Sequence, residues 1–435
     1  MSSDEYNYPV DEVTREKLHD WLDTNNFCAM PFFHVAVESN GDVRPCCLGK
    51  ELINDDGTKF NISGTNMGIN DIINHPTHIK FRESFLKNEQ HPACNHCWGP
   101  YHKDRFNGRH VYTTSLKVNR YVKDIMEGKP PEQKLLWLEI KAGNRCNLSC
   151  RICGLWNSAK WLKDAYEVKK AFIGESYPAF PDSYEFKYNQ QAKWIDNIDF
   201  WRNIEGFDDI KIIHIMGGEP MMIEEHFEML QAIADKFDAS KIRVWYNTNG
   251  TRVPTPEQEA LLDKFQCVMW SVSIDDFGPR FEYQRKGADW QDVKKNLPYF
   301  FSKPNYESTI DATINIYNIY TINEFIAELD RMNLAQHFCP HYVTTPNGPT
   351  NVRALNSNIK EIIKQHLIAT KDTSTFKTRI SAAQVDKIIK FMMDIDEWSP
   401  DTDQYRKFEI FKVDELRNES FVEIFPEMSK LLNYE

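Results

Sequence analysis

The run Cys146-Asn-Leu-Ser-Cys150-Arg-Ile-Cys153 places three thiols within eight residues, close enough to wrap one metal centre. Thiolate is a soft ligand that favours zinc or iron–sulfur clusters. A structural zinc site takes four ligands and is closed, whereas this run supplies three. Three thiolates on a 4Fe–4S cluster leave one iron open to a substrate or cofactor. A second set stands nearer the N-terminus: Cys28, then Gly41-Asp-Val-Arg-Pro-Cys46-Cys47, then Cys94-Asn-His-Cys97. It offers four ligands, with Cys46 and Cys47 as alternatives for one position. A four-cysteine zinc site competes with a cluster there. His34, His91 and His96 lie close by and could replace a cysteine on iron, but read better as surface residues or as supports behind the ligands. Cys267 and Cys339 fall in strand-like runs and read as small core residues.

The elements that must hold these groups follow from hydropathy. Short apolar runs at Leu135–Ala142, Ile210–Met216, Ile242–Thr248, Cys267–Ile274, Thr309–Ile316 and Phe338–Thr344 alternate with helix-like segments. That pattern predicts parallel strands joined by helices. Several runs carry one polar parity: Glu139 and Lys141, Asn247 and Asn249, Ser271, Ser273 and Asp275, and Thr309, Asp311, Thr313 and Asn315. Successive side chains on a strand point to opposite faces, and helical crossovers cover the outer face. The polar face therefore lines the inside of an open barrel that holds a polar ligand. Three strand ends carry further signals. Met216-Gly217-Gly218-Glu219-Pro220 lets backbone approach a ligand closely, and Glu219 can accept hydrogen bonds from an ammonium group. Asn247-Thr248-Asn249-Gly250 ends the third run. Ser271-Val272-Ser273-Ile274-Asp275 ends the fourth, followed by Tyr283-Gln284-Arg285-Lys286-Gly287.

The flanks are less specific. Residues up to about 110 read as loops and short hairpins around a fixed centre, and Gly128-Lys129-Pro130-Pro131 is the best boundary. The connection from Trp156 to Glu205 holds a helix plus an aromatic insertion, with Trp156, Trp161, Tyr166, Tyr177, Phe180, Tyr184, Phe186, Tyr188 and Trp194 read as packing residues. The part from Asn356 reads as helical, and Glu409 to Glu427 as a docking helix or lid. A net charge of -12 argues against a broad nucleic-acid surface. No apolar run is long enough to cross a membrane. The acidic, polar N-terminus lacks the features of a secretory signal, so a cytoplasmic protein with reduced thiols is expected.

The CxxxCxxC spacing after a first strand, followed by the GGEP, NTNG and SxSID…YQRKG motifs in order, resembles the radical S-adenosylmethionine (SAM) superfamily. The resemblance implies an α/β fold, a partial (β/α)6 TIM-like barrel over residues 129–355. Cys146, Cys150 and Cys153 would hold a 4Fe–4S cluster whose open iron takes the amine and carboxylate of SAM. The reduced cluster would cleave SAM to a 5′-deoxyadenosyl radical that removes a hydrogen atom from substrate. Gly217, Gly218, Glu219 and Pro220 would bind SAM around its amine, Asn249 and Ser273 its ribose or carboxylate, and Arg285 its carboxylate, with Asn315 a further contact. Asp275 would face the substrate as the catalytic residue. Two departures are Ile152, where many members place an aromatic residue, and Asp276, where a glycine is usual. The N-terminal cysteines resemble the auxiliary-cluster module of Twitch and SPASM proteins, placed before the core as residues 1–128, with Cys28, Cys46, Cys94 and Cys97 holding a second 4Fe–4S cluster. That cluster would accept an electron from the oxidised substrate. A helical extension, 356–435, completes the chain. The resemblance also implies an electron donor of the flavodoxin or ferredoxin type and a peptide or small-molecule substrate. The competing readings are a non-enzymatic zinc-binding protein and a two-cluster electron carrier.

Overall fold

The computed structural model describes residues 15–98, 108–115, 133–174, 192–196, 198–343, 348–371 and 379–434, with a few isolated positions between them. Eight strands form one sheet: β1 His34–Val37, β2 Val43–Arg44, β3 Trp137–Lys141, β4 Ile212–Met216, β5 Arg243–Thr248, β6 Cys267–Ser273, β7 Tyr306–Ile314 and β8 Phe338–Tyr342. Their spatial order is β2-β1-β3-β4-β5-β6-β7-β8. Only the β1–β2 hairpin is antiparallel; β1 and β3 to β8 run parallel. The order is linear, so the sheet is an open, partial barrel and not a closed one.

The six expected core strands are all present, within a few residues of their expected limits. They form because apolar, β-branched residues alternate with polar ones. Ile213, Ile215, Val244, Tyr246, Val268, Trp270, Val272, Ile310, Ala312 and Ile314 make the outward parity and are almost fully buried. Crossover helices such as Glu225–Lys236, Trp290–Phe300 and Ile322–Arg331 cover them. The inward parity is polar, and register sets it in rows: Glu139 beside His214 and Trp245, Asn247 beside Ser271 and Thr309, Ser273 beside Asp311 and Cys339.

The N-terminal block differs from the loop-rich centre expected. It contains the helix Pro76–Leu86, and its β1 pairs with β3 in parallel register, His34 against Trp137. It thereby extends the barrel sheet. Of the expected boundary, Gly128, Pro130 and Pro131 lie outside the described residues. The C-terminal part is helical as expected, at Ser357–Lys371, Arg379–Asp394, Pro400–Arg417 and two shorter helices. In the aromatic connection Trp161 and Trp194 are buried, as packing residues should be, but Trp156 is half exposed. Tyr177, Phe180, Tyr184 and Tyr188 lie outside the described residues.

Candidate active site

The three-cysteine loop leaves β3 and is fixed by backbone-directed hydrogen bonds. Ser158 Oγ donates to the Leu148 carbonyl (2.5 Å), Trp161 Nε1 to that of Cys150 (2.7 Å), and Asn144 Nδ2 to that of Leu155 (3.0 Å). The paired glycines press against the same loop. Gly218 has φ +58°, and a Cβ there would lie 2.2 Å from the Arg145 carbonyl oxygen. The next amide, Glu219 N, donates to that oxygen at 2.8 Å. Only glycine permits this approach. All three thiols are pushed up by burial, Cys146 to about 11 and Cys153 to about 12, with the neighbouring cysteines adding repulsion. Thiolates so desolvated need a compensating positive centre, which a metal cluster provides. Beside them the fully buried Arg285 places its charge near Cys150 and Cys153 and leaves its Nε without a hydrogen-bond partner. An acceptor bound at the thiols would satisfy it. The residues present therefore fit a cluster that carries an anionic ligand.

Other expected cofactor contacts are spent inside the protein. Glu219 is fully buried and accepts from Thr248 Oγ1 and Asn249 N (both 2.8 Å) and from Met221 N (3.2 Å). It braces the end of β5. Asn249 donates to Asn147 Oδ1 (2.9 Å) and reaches Cys146 Sγ (3.8 Å), holding the cysteine loop. Asp275 is the residue expected to face the substrate. It is fully buried, accepts from Thr313 N (2.8 Å) and pairs with Arg285 Nη2 (2.8 Å), which makes it a positioning residue for that arginine. Asn315 lies just past the end of β7, fully buried, its amide occupied by Gln284, the Thr313 carbonyl and Tyr317 N. It shapes a turn. Gly217, with φ +83°, lies against Lys141, and Pro220 opens a short helical turn. Ser273 ends β6 on the inward face, half-buried.

The tail segment expected to dock clamps this loop through a residue of the cysteine motif itself. Arg151, within the cysteine motif, has a side chain only 2% exposed. Its Nη2 donates to Asp414 Oδ1 (2.5 Å) and Glu419 Oε2 (2.6 Å), and its guanidinium lies 3.7 Å from the centre of the Tyr283 ring. Lys286 also meets Glu419 (2.8 Å), and Arg417 reaches Asp164 (2.9 Å) while stacking on Trp161. The acidic, aromatic tail segment is thus docked on the loop.

The second cysteine set lines a small, partly open, apolar cavity. Cys28, Cys46, Cys94 and Cys97 face it together with Leu48, Trp98, Arg109 and Tyr112. Cys47 does not. It turns toward the barrel, its Sγ 3.2 Å from Tyr112 Oη, near Glu139 and Lys141. The four lining thiols are all raised by burial, Cys28 to about 12, and at Cys28, Cys46 and Cys94 neighbouring cysteines add to it. Arg109 opposes this at Cys28 and Cys97. Four thiols around one cavity fit either a multi-iron cluster or a single soft ion.

Between the two thiol sets lies the polar interior. Buried Glu139 stands 3.5 Å from His34 Nε2. Burial pushes its carboxyl up, but the neighbouring His34 and the charge of Lys141 outweigh that and hold it below the usual range. His214 Nε2 donates to Asn247 Oδ1 (2.6 Å), and the ring stacks on Trp245 at 3.9 Å. Burial holds its imidazole down to about 4, so it is neutral. Cys339 is not a core residue: it sits with Asp311 and His341 on the inner face. Hydrogen bonds to Asp311 and Cys339 push His341 up to about 10.

Comparison with known proteins gives two family matches. The model described as the radical SAM superfamily matches residues 140–329, and that of an iron–sulfur cluster-binding domain, SPASM, matches residues 28–98. Between them they cover more than half of the chain. No curated protein sequence matches. Among solved structures, native anSMEcpe with bound AdoMet and a Cp18Cys peptide is similar at 14% identity, over 54% of this chain and 58% of that one, with a TM-score of 0.32. SuiB of Streptococcus suis bound to S-adenosylmethionine is similar at 17% identity, over 60% and 52%, with a TM-score of 0.29. The chain thus spans little more than half the length of these structures. Among the described residues no helix is long and apolar enough to cross a membrane.

Proposed function

The chain belongs to the radical SAM superfamily and carries an iron–sulfur SPASM module, and from that premise we propose that it oxidises a peptide or small-molecule substrate held between its two thiol sets. The observation that carries this reading is the pairing of a three-thiol loop, beside an unsatisfied buried arginine, with a separate four-thiol cavity. When bound, the clusters and SAM supply reductive SAM cleavage, hydrogen-atom abstraction and a place for a further electron. The division of labour follows the expected units: auxiliary module 1–128, core 129–355, helical extension from 356.

Within the core, Cys146, Cys150 and Cys153 hold the SAM-cleaving cluster. Arg285 orients the SAM carboxylate, because a buried planar fork of donors matches that group, and Asp275 keeps the fork in place. The backbone at Gly217 and Gly218 and the hydroxyl of Ser273 face the cofactor, while Glu219 and Asn249 hold the loop behind it. In the second module Cys28, Cys46, Cys94 and Cys97 are the ligands. Substrate binds against the inward row of Glu139, His214, Trp245 and Asn247. There the ionised, buried Glu139 anchors a cationic or donor group, and the neutral His214 offers Nδ1, which has no partner, as a hydrogen-bond acceptor. The electron donor is of the flavodoxin or ferredoxin type and the setting is the cytoplasm.

The test is anaerobic reconstitution with iron and sulfide, reduction, addition of SAM, and assay of 5′-deoxyadenosine alongside iron and zinc. The expected result is product with about eight irons per chain, the sum of two four-iron clusters. Cys150→Ala should abolish product and keep about four irons; Cys94→Ala should keep SAM cleavage. Absence of product from a protein holding zinc in place of iron would overturn the reading.

A further inference from the structure

Asp311, Cys339 and His341 come together on the inner face of the last two strands. Their ligand atoms, one carboxylate oxygen, Sγ and an imidazole nitrogen, all lie within 4.8 Å of one another. Parallel register places them: Asp311 is opposite Cys339, and Thr313 is opposite His341, so Cys339 and His341 share the face of Asp311. Their outward neighbours Ile310, Ala312 and Ile314 are fully buried, which leaves this trio on the barrel side. Asp311 Oδ2 stands 3.1 Å from His341 Nε2. Its other oxygen accepts from Thr309 Oγ1 (2.6 Å), which fixes the carboxylate from behind, as supports of metal ligands commonly do. Cys339 is half-buried and Asp311 buried, while the imidazole is 54% exposed on its side chain, so the site is reachable from the open edge of the barrel.

We propose that Asp311, Cys339 and His341 form a mononuclear site for zinc or a similar borderline divalent cation, separate from both thiol sets. One thiolate, one imidazole and one carboxylate is a donor set that zinc accepts, and three protein ligands leave the fourth position open. Ser273 is the inward residue next to Asp311 on β6, so the trio continues the polar row of the barrel. A cation there would bind a carboxylate, thiol or amine of a substrate lying in the barrel, and would do so as a Lewis acid without redox change. Among the described residues this trio brings its three ligand atoms within 4.8 Å of one another.

The test uses the full chain with both clusters reconstituted, then equilibrated with zinc chloride and desalted. Wild type should retain about one zinc per chain in addition to its iron. X-ray absorption at the zinc edge should show a single sulfur near about 2.3 Å with nitrogen and oxygen near about 2.0 Å. Cys339→Ser and His341→Ala should each cut zinc retention at least tenfold and leave iron and 5′-deoxyadenosine formation unchanged. Three or four sulfurs around the zinc would mean that it had entered vacant cluster positions, and would overturn the proposal. So would wild type that retains no zinc, or zinc retained at the wild-type level in the Cys339→Ser/His341→Ala double variant.

Discussion

Arg151→Met should loosen the cysteine loop without touching a cysteine. The arginine is buried between Cys150 and Cys153 and ties the loop to Asp414 and Glu419 of the tail. Removing one partner of a buried ion pair costs about 3–5 kcal/mol, because the opposite charge stays desolvated. Here the residual carboxylates keep some support: Asp414 still accepts from Tyr283 Oη (2.8 Å) and Phe421 N (2.6 Å), and Glu419 still meets Lys286. The cost should therefore fall at the low end, about 3 kcal/mol, or roughly 5 °C in melting temperature for a unit of this size. Anaerobic melting followed by far-ultraviolet circular dichroism reads the stability. Iron content after dilution reads the loop, and should fall from about eight toward about four as the three-thiol cluster is lost first. Asp414→Asn keeps an acceptor oxygen and should cost less. The double variant should cost less than the two singles combined, since both act on one contact. A variant that melts like wild type with full iron, or strict additivity, would show that the tail does not hold the loop.

Three further outcomes test other parts of the site. Gly218→Ala adds about 1–2 kcal/mol of left-handed strain and an overlap with the Arg145 carbonyl, so it should lose the SAM-cleaving cluster and keep the auxiliary one. Gly57→Ala, at φ +81° with open space around it, carries the strain alone and should retain both, as iron analysis will show. Cys46→Ser should lose the auxiliary cluster and Cys47→Ser should keep it, measured by electron paramagnetic resonance of the reduced protein. Glu409→Gln should alter the pH dependence of stability. Burial pushes this carboxyl up to about 7, with Arg151 opposing. A raised carboxyl contributes stability that is present below its unfolded value and lost as pH rises through the folded one. Wild type should then lose at most about 3 kcal/mol between pH 4.5 and pH 7 relative to the glutamine variant, read by denaturant titration across that range.

The sequence carried the six core strands because each alternates apolar and polar residues over five or more positions, and it carried the cysteine sets because ligand spacing is local. It did not carry β1. His-Val-Ala-Val is too short for periodicity to separate from a loop, and its partner stands about a hundred residues later. Glu219, Asn249, Asp275 and Asn315 were legible as polar groups at strand ends, but whether such a group faces a ligand or a neighbouring amide depends on tertiary contacts. In each case local donors claimed it, as buried polar atoms require. Cys46 and Cys47 differ for a similar reason: adjacent residues point apart, and the fold turns Cys46 to the cavity of the other three thiols. Cys339 was misread because its alternation partners on β7 and β8, not its own neighbours, make its surroundings polar.

The parallel pairing of β1 with β3 has a consequence for how the chain is made. Residues 34–37 leave the ribosome about a hundred residues before the strand that completes their ladder. Parallel strands need a crossover and are slow to pair, so the edge of β1 that faces β3 waits through synthesis of that stretch with only its β2 hairpin formed. The cavity of the four N-terminal thiols is lined by residues from Cys28 to Tyr112, all of which emerge before Trp137. A nascent chain arrested just before residue 137 should therefore already accept the auxiliary cluster, and one arrested before Tyr112 should not.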